Sequence, residues 1–310
     1  MTDDKRLTTT TTDELQPILA LVLDSLTSEH SKRAYSRNLR DFIAWYAAQG
    51  RPGLTKATVQ HYRAELQRQG SAPSTINRAM SAVRKLASEA ADNGLIDQVL
   101  ANGIARVPGV KSLGTRSGNW LTRDQAQALL DAPDPANLKG LRDRAILAVM
   151  LGGGLRRFEV AELTFDHVAQ REGRCVIVDL VGKHNHVRSV PIPSWVKAAL
   201  DAWAQAAGVS SGRVFRSLHA KGHARGDSIT PQAINDLVRH YAGALGYSVA
   251  AHDLRRTYAK LAHKGGAGLD QIQLSLWHSS IKTTELYLAV EQDLTDAPGD
   301  RLGLRLKGEQ

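Results

Sequence analysis

The sequence predicts a mainly α-helical protein of two domains, the second of which also contains a small antiparallel β-sheet. Apolar residues recur at helical spacing over most of the 310 residues. Two runs rich in β-branched residues, 174–181 and 187–192, flank a short turn and predict paired strands. A segment of glycine, proline and basic residues, 107–119, is typical of a linker. A chain of this length can bury a separate core in each of two domains.

The segment 15–106 is predicted to be an all-α bundle. Apolar side chains repeat at helical intervals, and clusters of glycine, proline and polar residues at 49–53, 70–73 and 93–94 divide it into four or five short helices. Residues 1–14 are expected to form a flexible tail. The repeating side chains are Tyr35, Leu39, Phe42, Ile43 and Tyr46, and then Ile76, Ala79, Val83 and Leu86.

Two helix faces of this bundle are basic. One carries Arg33, Arg37 and Arg40, and the other carries Arg78 and Lys85. Basic helix faces are most often plain solvated surface, but two of them in one bundle favour contact with phosphate. The formal net charge of +9 also favours a polyanionic partner, with nucleic acid ahead of membrane surfaces or other polyanions.

Other features of the composition restrict the class of protein. The single cysteine, Cys175, lies in a predicted strand and is interpreted as a small buried residue; a lone cysteine excludes a disulfide within the chain. The N-terminus has no apolar stretch typical of a secretion signal, and no run is long and apolar enough to span a bilayer. We therefore expect a cytoplasmic protein without a membrane partner.

In the second part, Thr122 is predicted to cap a helix, and the segment 142–150 is predicted to form another that ends in the glycines at 152–154. These glycines do not indicate a phosphate loop, because no Gly-Lys-Ser or Gly-Lys-Thr follows. Helices are expected to resume after the two strands, from Trp195 onward. The second domain is therefore predicted to be of the α+β class.

Polar residues that could take part in catalysis occur throughout this part. Arg156 and Glu159 stand three residues apart, so the carboxylate can steady the guanidinium, although alone this spacing indicates only a surface ion pair. Lys183 lies in the turn between the strands, where a lysine is ordinarily just solvated. His252 and Arg255 are again three apart, and we expect both to face a common cleft.

Two further residues complete the set. His278 follows a predicted helix, and Tyr287 lies in Thr-Thr-Glu-Leu-Tyr; each alone is more often a packing residue. Together with the upstream cations they describe a site at which a tyrosine attacks a phosphodiester. Such a reaction needs fixed cations around the phosphate oxygens and a proton donor for the leaving oxygen. The sequence supplies these groups, and we expect no metal and no cofactor.

The order Arg, Lys, His-x-x-Arg, His, Tyr resembles the tyrosine recombinase, or phage-type integrase, family. Gly-Leu-Arg-x-x-Glu around Arg156 and Thr-Thr-x-x-Tyr before Tyr287 strengthen the resemblance, which spans about 120–290. It implies a catalytic domain over 120–290, a core-binding DNA-binding domain over 15–106, and a tail, 291–310, that docks on a neighbouring protomer.

The resemblance also implies a role for each candidate. Arg156 and Arg255 match the arginines that clamp the scissile phosphate, and Lys183 matches the lysine that protonates the leaving 5′ oxygen. His252 matches the histidine that assists proton transfer at the tyrosine. His278 matches the position that donates a hydrogen bond to a phosphate oxygen, and Tyr287 matches the nucleophile that forms a 3′-phosphotyrosyl intermediate.

The implied partner is double-stranded DNA, bound by a dimer on one site and a homotetramer on two paired sites, with room for accessory DNA-binding proteins. The expected function is site-specific recombination, either as an integrase of a mobile element or as a resolvase of dimeric replicons. The alternatives are a type IB topoisomerase and a catalytically silent DNA-binding regulator. A metal-dependent nuclease using His252, Asp253 and His278 is disfavoured, because no carboxylate cluster accompanies these residues.

The sequence departs from the family pattern near three of these positions. Trp277 stands where the family commonly has glycine, and Arg256 stands where a second histidine is frequent. His184 and His186 replace a glycine and a lysine after the turn lysine. We expect activity to survive, because all six reacting positions hold suitable residue types.

Overall fold

The computed structural model describes residues 12–50, 53–111, 119–181, 187–219, 224–277 and 284. The chain divides into two compact units, Met1–Thr115 and Arg116–Gln310. Both units are mainly helical, and the second contains a three-stranded antiparallel sheet and a separate two-stranded one, which confirms the predicted fold class. Within the described ranges, no helix combines the length and the apolar composition needed to cross a membrane.

The first unit is a helical bundle with its own core. The apolar residues predicted from periodicity lie in that core, with Leu39, Phe42 and Tyr46 of the second helix and Val83 and Leu86 of the fourth fully buried. Packing of these stripes stabilises helices that would be marginal in isolation. The described helices of this unit are α1 (Thr12–Asp24), α2 (Glu29–Ala48), α3 (Lys56–Arg68), α4 (Pro73–Asp92) and α5 (Gln98–Ala105).

The chain that leaves α5 stays attached to this bundle. Val107 is buried in its core. The Asn77 side chain of α4 bonds both backbone groups of Val110. Nδ2 donates to the Val110 carbonyl at 3.0 Å, and the Val110 N–H donates to Oδ1 at 2.7 Å. The first residues of the predicted linker therefore pack on the bundle. Residues 112–118 lie outside the described part of the chain, and the domain bounds drawn from the sequence stay a prediction.

The second unit contains helices around a three-stranded sheet. Thr122 caps the first helix as predicted, accepting a hydrogen bond from the Gln125 N–H at 3.3 Å. The predicted 142–150 helix is longer at both ends, because Asn137 caps its start and Gly154 its end. The described helices are α6 (Arg123–Asp131), α7 (Leu138–Gly153), α8 (Arg157–Glu162), α9 (Ser194–Ala207), α10 (Pro231–Ala244), α11 (Ala251–Lys264) and α12 (Leu269–Leu276).

The sheet has the antiparallel order β1 (Val168–Arg171), β2 (Arg174–Val181) and β3 (Val187–Pro191). The prediction of β2 and β3 is confirmed, whereas β1 was missed because four residues ending in polar side chains give no clear alternation. Side chains of β3 alternate, with Arg188 and Val190 buried between exposed neighbours. The two-residue strands β4 (Ser217–Leu218) and β5 (Ala224–Arg225) pair separately.

Helix α7 is the central element of this unit. Residues 145–150 are completely buried, and α9 and α11 pack against the helix. Gly154 ends α7 in the left-handed conformation, at φ 62°. A Cβ at this position would lie 2.7 Å from the Tyr258 ring of α11 and 3.1 Å from Leu276 of α12. Glycine is therefore required here both for the backbone and for the close packing of three helices.

We predict that Gly154→Ala destabilises the protein more than Gly208→Ala does. Both glycines end a helix at positive φ, but a Cβ at Gly208 meets nothing within 4 Å. Gly208→Ala should therefore cost only the left-handed backbone strain, about 1–2 kcal/mol. Gly154→Ala should add about 1–3 kcal/mol of overpacking. Denaturant unfolding followed by circular dichroism measures the difference, and equal losses in the two variants would contradict the described packing.

Candidate active site

Arg156 is placed by the turn between α7 and α8. It is the N-cap residue of α8, and Glu159 in the first turn of the helix reaches back to it. The Glu159 carboxylate accepts hydrogen bonds from the Arg156 backbone N–H and from its Nη1, each at 2.8 Å. The Glu159 side chain therefore caps the start of α8 and orients the Arg156 guanidinium with the same two oxygens.

Glu159 is not part of a surface ion pair, as the spacing alone suggested. It is only 5% exposed, because Arg188 of β3 covers it and donates from both terminal nitrogens to its two oxygens at 2.8 and 2.7 Å. Burial alone would raise the pKa of Glu159, but hydrogen bonds and charges of Arg188 and Arg156 hold it below its ordinary value. The carboxylate is therefore ionised at neutral pH.

Helix α11 carries the His-x-x-Arg motif near its start. His252 is exposed, whereas Arg255 is fully buried and does not line an open cleft as expected. The Arg255 guanidinium donates to the carbonyls of Gly154 and Leu276, which stand at the ends of α7 and α12. The spacing places His252 and Arg255 on one side of the helix. Contacts with the ends of α7 and α12 determine how deeply Arg255 is buried.

His252 lies among cations. Desolvation by the surrounding protein, followed by the charges of Arg256 and Arg255, lowers the pKa of the imidazole below its ordinary 6.5, and Arg156 acts in the same direction. Asp253 opposes the shift. The imidazole is therefore mostly neutral at pH 7 and can accept a proton. Arg255 of the same helix donates to the carbonyl of Gly154, two residues before Arg156, so the starts of α8 and α11 lie near each other.

Of the six predicted reacting residues, the structure brings Arg156, His252 and Arg255 together. Lys183, His278 and Tyr287 lie outside the described residues. Thr284 of the Thr-Thr-x-x-Tyr motif is helical and buried. Reasoning from the sequence missed the link from Arg188 to Glu159; the alternation of β3, which points an arginine inward, is the signal that could have revealed it.

Trp277 ends α12 in the left-handed conformation, at φ 51° and ψ 57°. A residue with a Cβ is disfavoured in this conformation and glycine is not, which explains why glycine suits this position of the family pattern. Within the described ranges, no group of three or more His, Cys, Asp or Glu side chains is arranged to hold a metal ion.

The basic residues of the first unit differ in their availability. Arg33, Arg37, Arg40 and Arg78 are exposed. Lys85 is only partly exposed and pairs with Glu89 at 2.8 Å. Four of the five predicted phosphate contacts therefore present their charge to solvent, whereas that of Lys85 is partly neutralised by its own helix.

Two family models match this chain. The one described as "Phage integrase family" covers residues 119–293, more than half of the chain, and "Phage integrase, N-terminal SAM-like domain" covers residues 18–94. The chain belongs to the phage integrase, or tyrosine recombinase, family. The tyrosine recombinase XerC of Pseudomonas putida is 30% identical to this recombinase over 265 residues, which cover 84% of this chain and 85% of the relative.

Solved structures share the fold of this recombinase at low sequence identity. XerH site-specific recombinase bound to difH substrate in a pre-cleavage complex has a TM-score of 0.67 and 16% identity, covering 92% of this chain and 82% of that chain. A λ integrase tetramer bound to a Holliday junction has a TM-score of 0.67 and 16% identity, covering 88% and 75%. These likenesses show the fold, and membership of the family makes the chain a tyrosine-type site-specific DNA recombinase.

We predict that Arg256→Gln raises the pKa of His252, because it removes the positive charge that contributes most to the lowering of that pKa. The titration of the imidazole is followed by NMR, with His252→Gln used to assign its signal. Unfolded His252 takes up a proton near pH 6.5 and the folded residue only at lower pH, so acidification through 6.5 destabilises the fold. Arg256→Gln should weaken that acid destabilisation.

Arg171→Gln is the matched control for this titration. Arg171 is an exposed arginine of β1 that is not among the charges acting on His252. Its substitution should leave the titration unchanged. An unshifted His252 signal in the Arg256→Gln protein would show that Arg256 does not set the charge state of the histidine.

Proposed function

We propose that this recombinase cuts a DNA strand by attack of Tyr287 on a backbone phosphate and passes the strand to a new partner. Family membership supports the reaction class. The observation that carries the assignment of the site is the meeting of Arg156 with His252 and Arg255, which lie 96 and 99 residues further along the chain.

In this proposal the two arginines bind the non-bridging oxygens of the scissile phosphate. Arg156 is suited to this role because Glu159 and the start of α8 fix its guanidinium while 36% of its side chain stays exposed. Arg255 is buried against two carbonyls, which fix its guanidinium at the ends of α7 and α12, close to the turn that leads to Arg156.

The remaining roles follow the family pattern. The Tyr287 oxygen attacks phosphorus and forms a 3′-phosphotyrosyl bond as the bond to the 5′ oxygen breaks. Lys183 supplies the proton that leaves with this oxygen, and His278 donates a hydrogen bond to the phosphate. A 5′ hydroxyl from a second strand reverses the step. One phosphodiester is exchanged for another of similar energy, so that no ATP is needed.

His252 acts at the tyrosine. A free tyrosine hydroxyl has a pKa of about 10 and is mostly protonated at neutral pH. A base that is neutral at pH 7 can accept the proton as attack begins, and the surrounding cations favour the phenolate. The lowered pKa of His252 and its place beside Arg156 support this role.

Binding of DNA is assigned to both units. The exposed arginines of α2 and α4 would contact phosphates, while base contacts would select the site. We further propose a dimer on one site and a tetramer on two, supported by the fold shared with a tetramer on a Holliday junction. The tail 291–310, outside the described residues, would dock on a neighbouring protomer. The recombinase would act in the cytoplasm, associated with the nucleoid, as the integrase of a mobile element or the resolvase of a dimeric replicon.

We predict that the protein forms a covalent adduct with DNA through Tyr287. A DNA duplex that binds the protein is first selected from a random library. It is then synthesised in several versions, each with a nick at a different position. In the version nicked close to the cleavage site, the short 5′-hydroxyl fragment diffuses away after cleavage and the adduct is trapped. A denaturation-resistant adduct should form with the native protein and be lost in Tyr287→Phe, because the attacking oxygen is absent. Gel electrophoresis in detergent measures the adduct, and peptide mass spectrometry locates it.

Tyr247→Phe is the control, since Tyr247 is a partly buried tyrosine of the second unit. It should retain the adduct. Linkage to any other residue would overturn the assignment of Tyr287. Relaxation of supercoiled plasmids irrespective of sequence would favour the topoisomerase alternative over recombination.

We predict that Arg37→Gln weakens DNA binding and lowers the slope of log affinity against log salt by about 1, as expected for the loss of one phosphate contact. Lys85→Gln should have a smaller effect, because Glu89 already pairs with it. Arg68→Gln removes the same net charge from α3, where the arginine pairs with Glu65. Fluorescence anisotropy with the selected duplex at several salt concentrations measures each slope. Equal slopes for the three variants would remove α2 from the proposed interface.

A further inference from the structure

The Glu159 carboxylate is shared by two arginines from different elements. Oε1 accepts from Nη1 of Arg156 and Nη1 of Arg188, and Oε2 accepts from the Arg156 backbone N–H and Nη2 of Arg188, all at 2.7–2.8 Å. Each oxygen thus has two donors. This arrangement leaves the carboxylate little rotational freedom, and it fixes Arg156 relative to β3 as well as to α8.

Arg188 and Arg156 differ in exposure. The side chain of Arg188 is 1% exposed and that of Arg156 is 36% exposed. Both terminal nitrogens of Arg188 donate to Glu159, and the Arg188 side chain has no other hydrogen-bond partner among the described residues. Arg156 has the exposure that a group contacting DNA requires. Arg188 is placed to act on the carboxylate alone.

We propose that Arg188 is a positioning residue, which holds the Glu159 carboxylate so that Arg156 presents its guanidinium to the scissile phosphate. The proposal rests on the proposed function of Arg156. Arg188 lies in β3, five residues after Lys183 in the sequence. Its bond to Glu159 thereby joins β3 to the start of α8.

The planar fork of arginine is essential to this role. A guanidinium can donate one hydrogen bond to each carboxylate oxygen, whereas a lysine ammonium is a point charge that cannot match both. Arg188→Met should leave Glu159 buried with Arg156 as the remaining cation among the described residues that act on its pKa. The carboxylate would then take up a proton at a higher pH and release Arg156 from its fixed orientation.

Single-turnover cleavage of the selected, nicked duplex tests the proposal. Arg188→Met should lower the cleavage rate at saturating protein by about 10-fold or more, as expected when a phosphate-binding group is misplaced. The acid limb of its pH–rate profile should move to higher pH, while the dissociation constant for DNA changes little. Arg188→Lys should recover part of the rate, because it restores the charge without the fork.

Arg174→Met is the matched control. Arg174 is an exposed arginine of the neighbouring strand β2, so the variant loses the same charge from the same sheet. Its rate and pH profile should equal those of the native protein. Glu159→Gln should resemble Arg188→Met, and the double variant should lose no more than the larger single loss, because both residues act through one carboxylate.

Three outcomes overturn the proposal. They are a native rate and acid limb in folded Arg188→Met, a purely multiplicative loss in the double variant, and an acid limb shifted equally by Arg174→Met. If Arg188→Met does not fold, as judged by its thermal melting, Arg188→Lys decides: a native cleavage rate in that variant contradicts the proposal, because the lysine lacks the fork. Failure of the native protein to form a tyrosine adduct would instead refute the proposed function, and this proposal with it.

Discussion

The arrangement of the catalytic unit depends on one buried guanidinium. Arg255 donates to the carbonyls of Gly154 and Leu276, which are C-terminal groups of α7 and α12 that no intrahelical N–H can satisfy. A positive charge is favourable at both helix ends, because the macrodipole leaves partial negative charge there. A single side chain of α11 therefore fixes the ends of two other helices, and the turn after α7 leads directly to Arg156.

The position of Arg255 brings several positive charges close together. Arg255 and Arg256 of α11 and Arg156 of α8 all disfavour the protonated form of His252, and Glu159 with Arg188 stands beside them. Like charges in such a cluster repel one another, so a buried carboxylate that partly neutralises them stabilises the fold. In the proposed function, a bound phosphate adds negative charge to the same cluster. Cations already held in place need little reorganisation when charge develops in a transition state, which is the usual origin of large electrostatic effects in catalysis.

Much of this fold could be predicted from the sequence because its signals are local. Periodicity located α2 and α4, β-branched runs located β2 and β3, and capping residues such as Thr122 and Gly154 marked helix ends. The depth of the site residues could not be predicted in this way. Leu254 and Arg255 are adjacent and both fully buried. No helical periodicity predicts a buried arginine, because the partners that satisfy it lie 101 and 21 residues away in the chain.

The same limit applies to the Arg156–Glu159 pair. Their spacing predicted the contact, but the burial of Glu159 depends on Arg188, which lies 29 residues further along the chain in a different element. An ion pair that would contribute little to stability on the surface holds its side chains in fixed positions once a strand covers it. The family motif names Arg156 and Glu159 together, and the structure gives the physical reason for their association.

Trp277 shows how strongly the neighbourhood of Arg255 determines local conformation. A tryptophan in the left-handed region carries a strain of about 1–2 kcal/mol that glycine would avoid. The residue before it, Leu276, is fully buried and its carbonyl accepts from Arg255. These tertiary contacts fix the last turn of α12, so the backbone at Trp277 takes the conformation that ends the helix despite its Cβ. The geometry of this helix end therefore originates in Arg255 and not in the preference of the residue that occupies it.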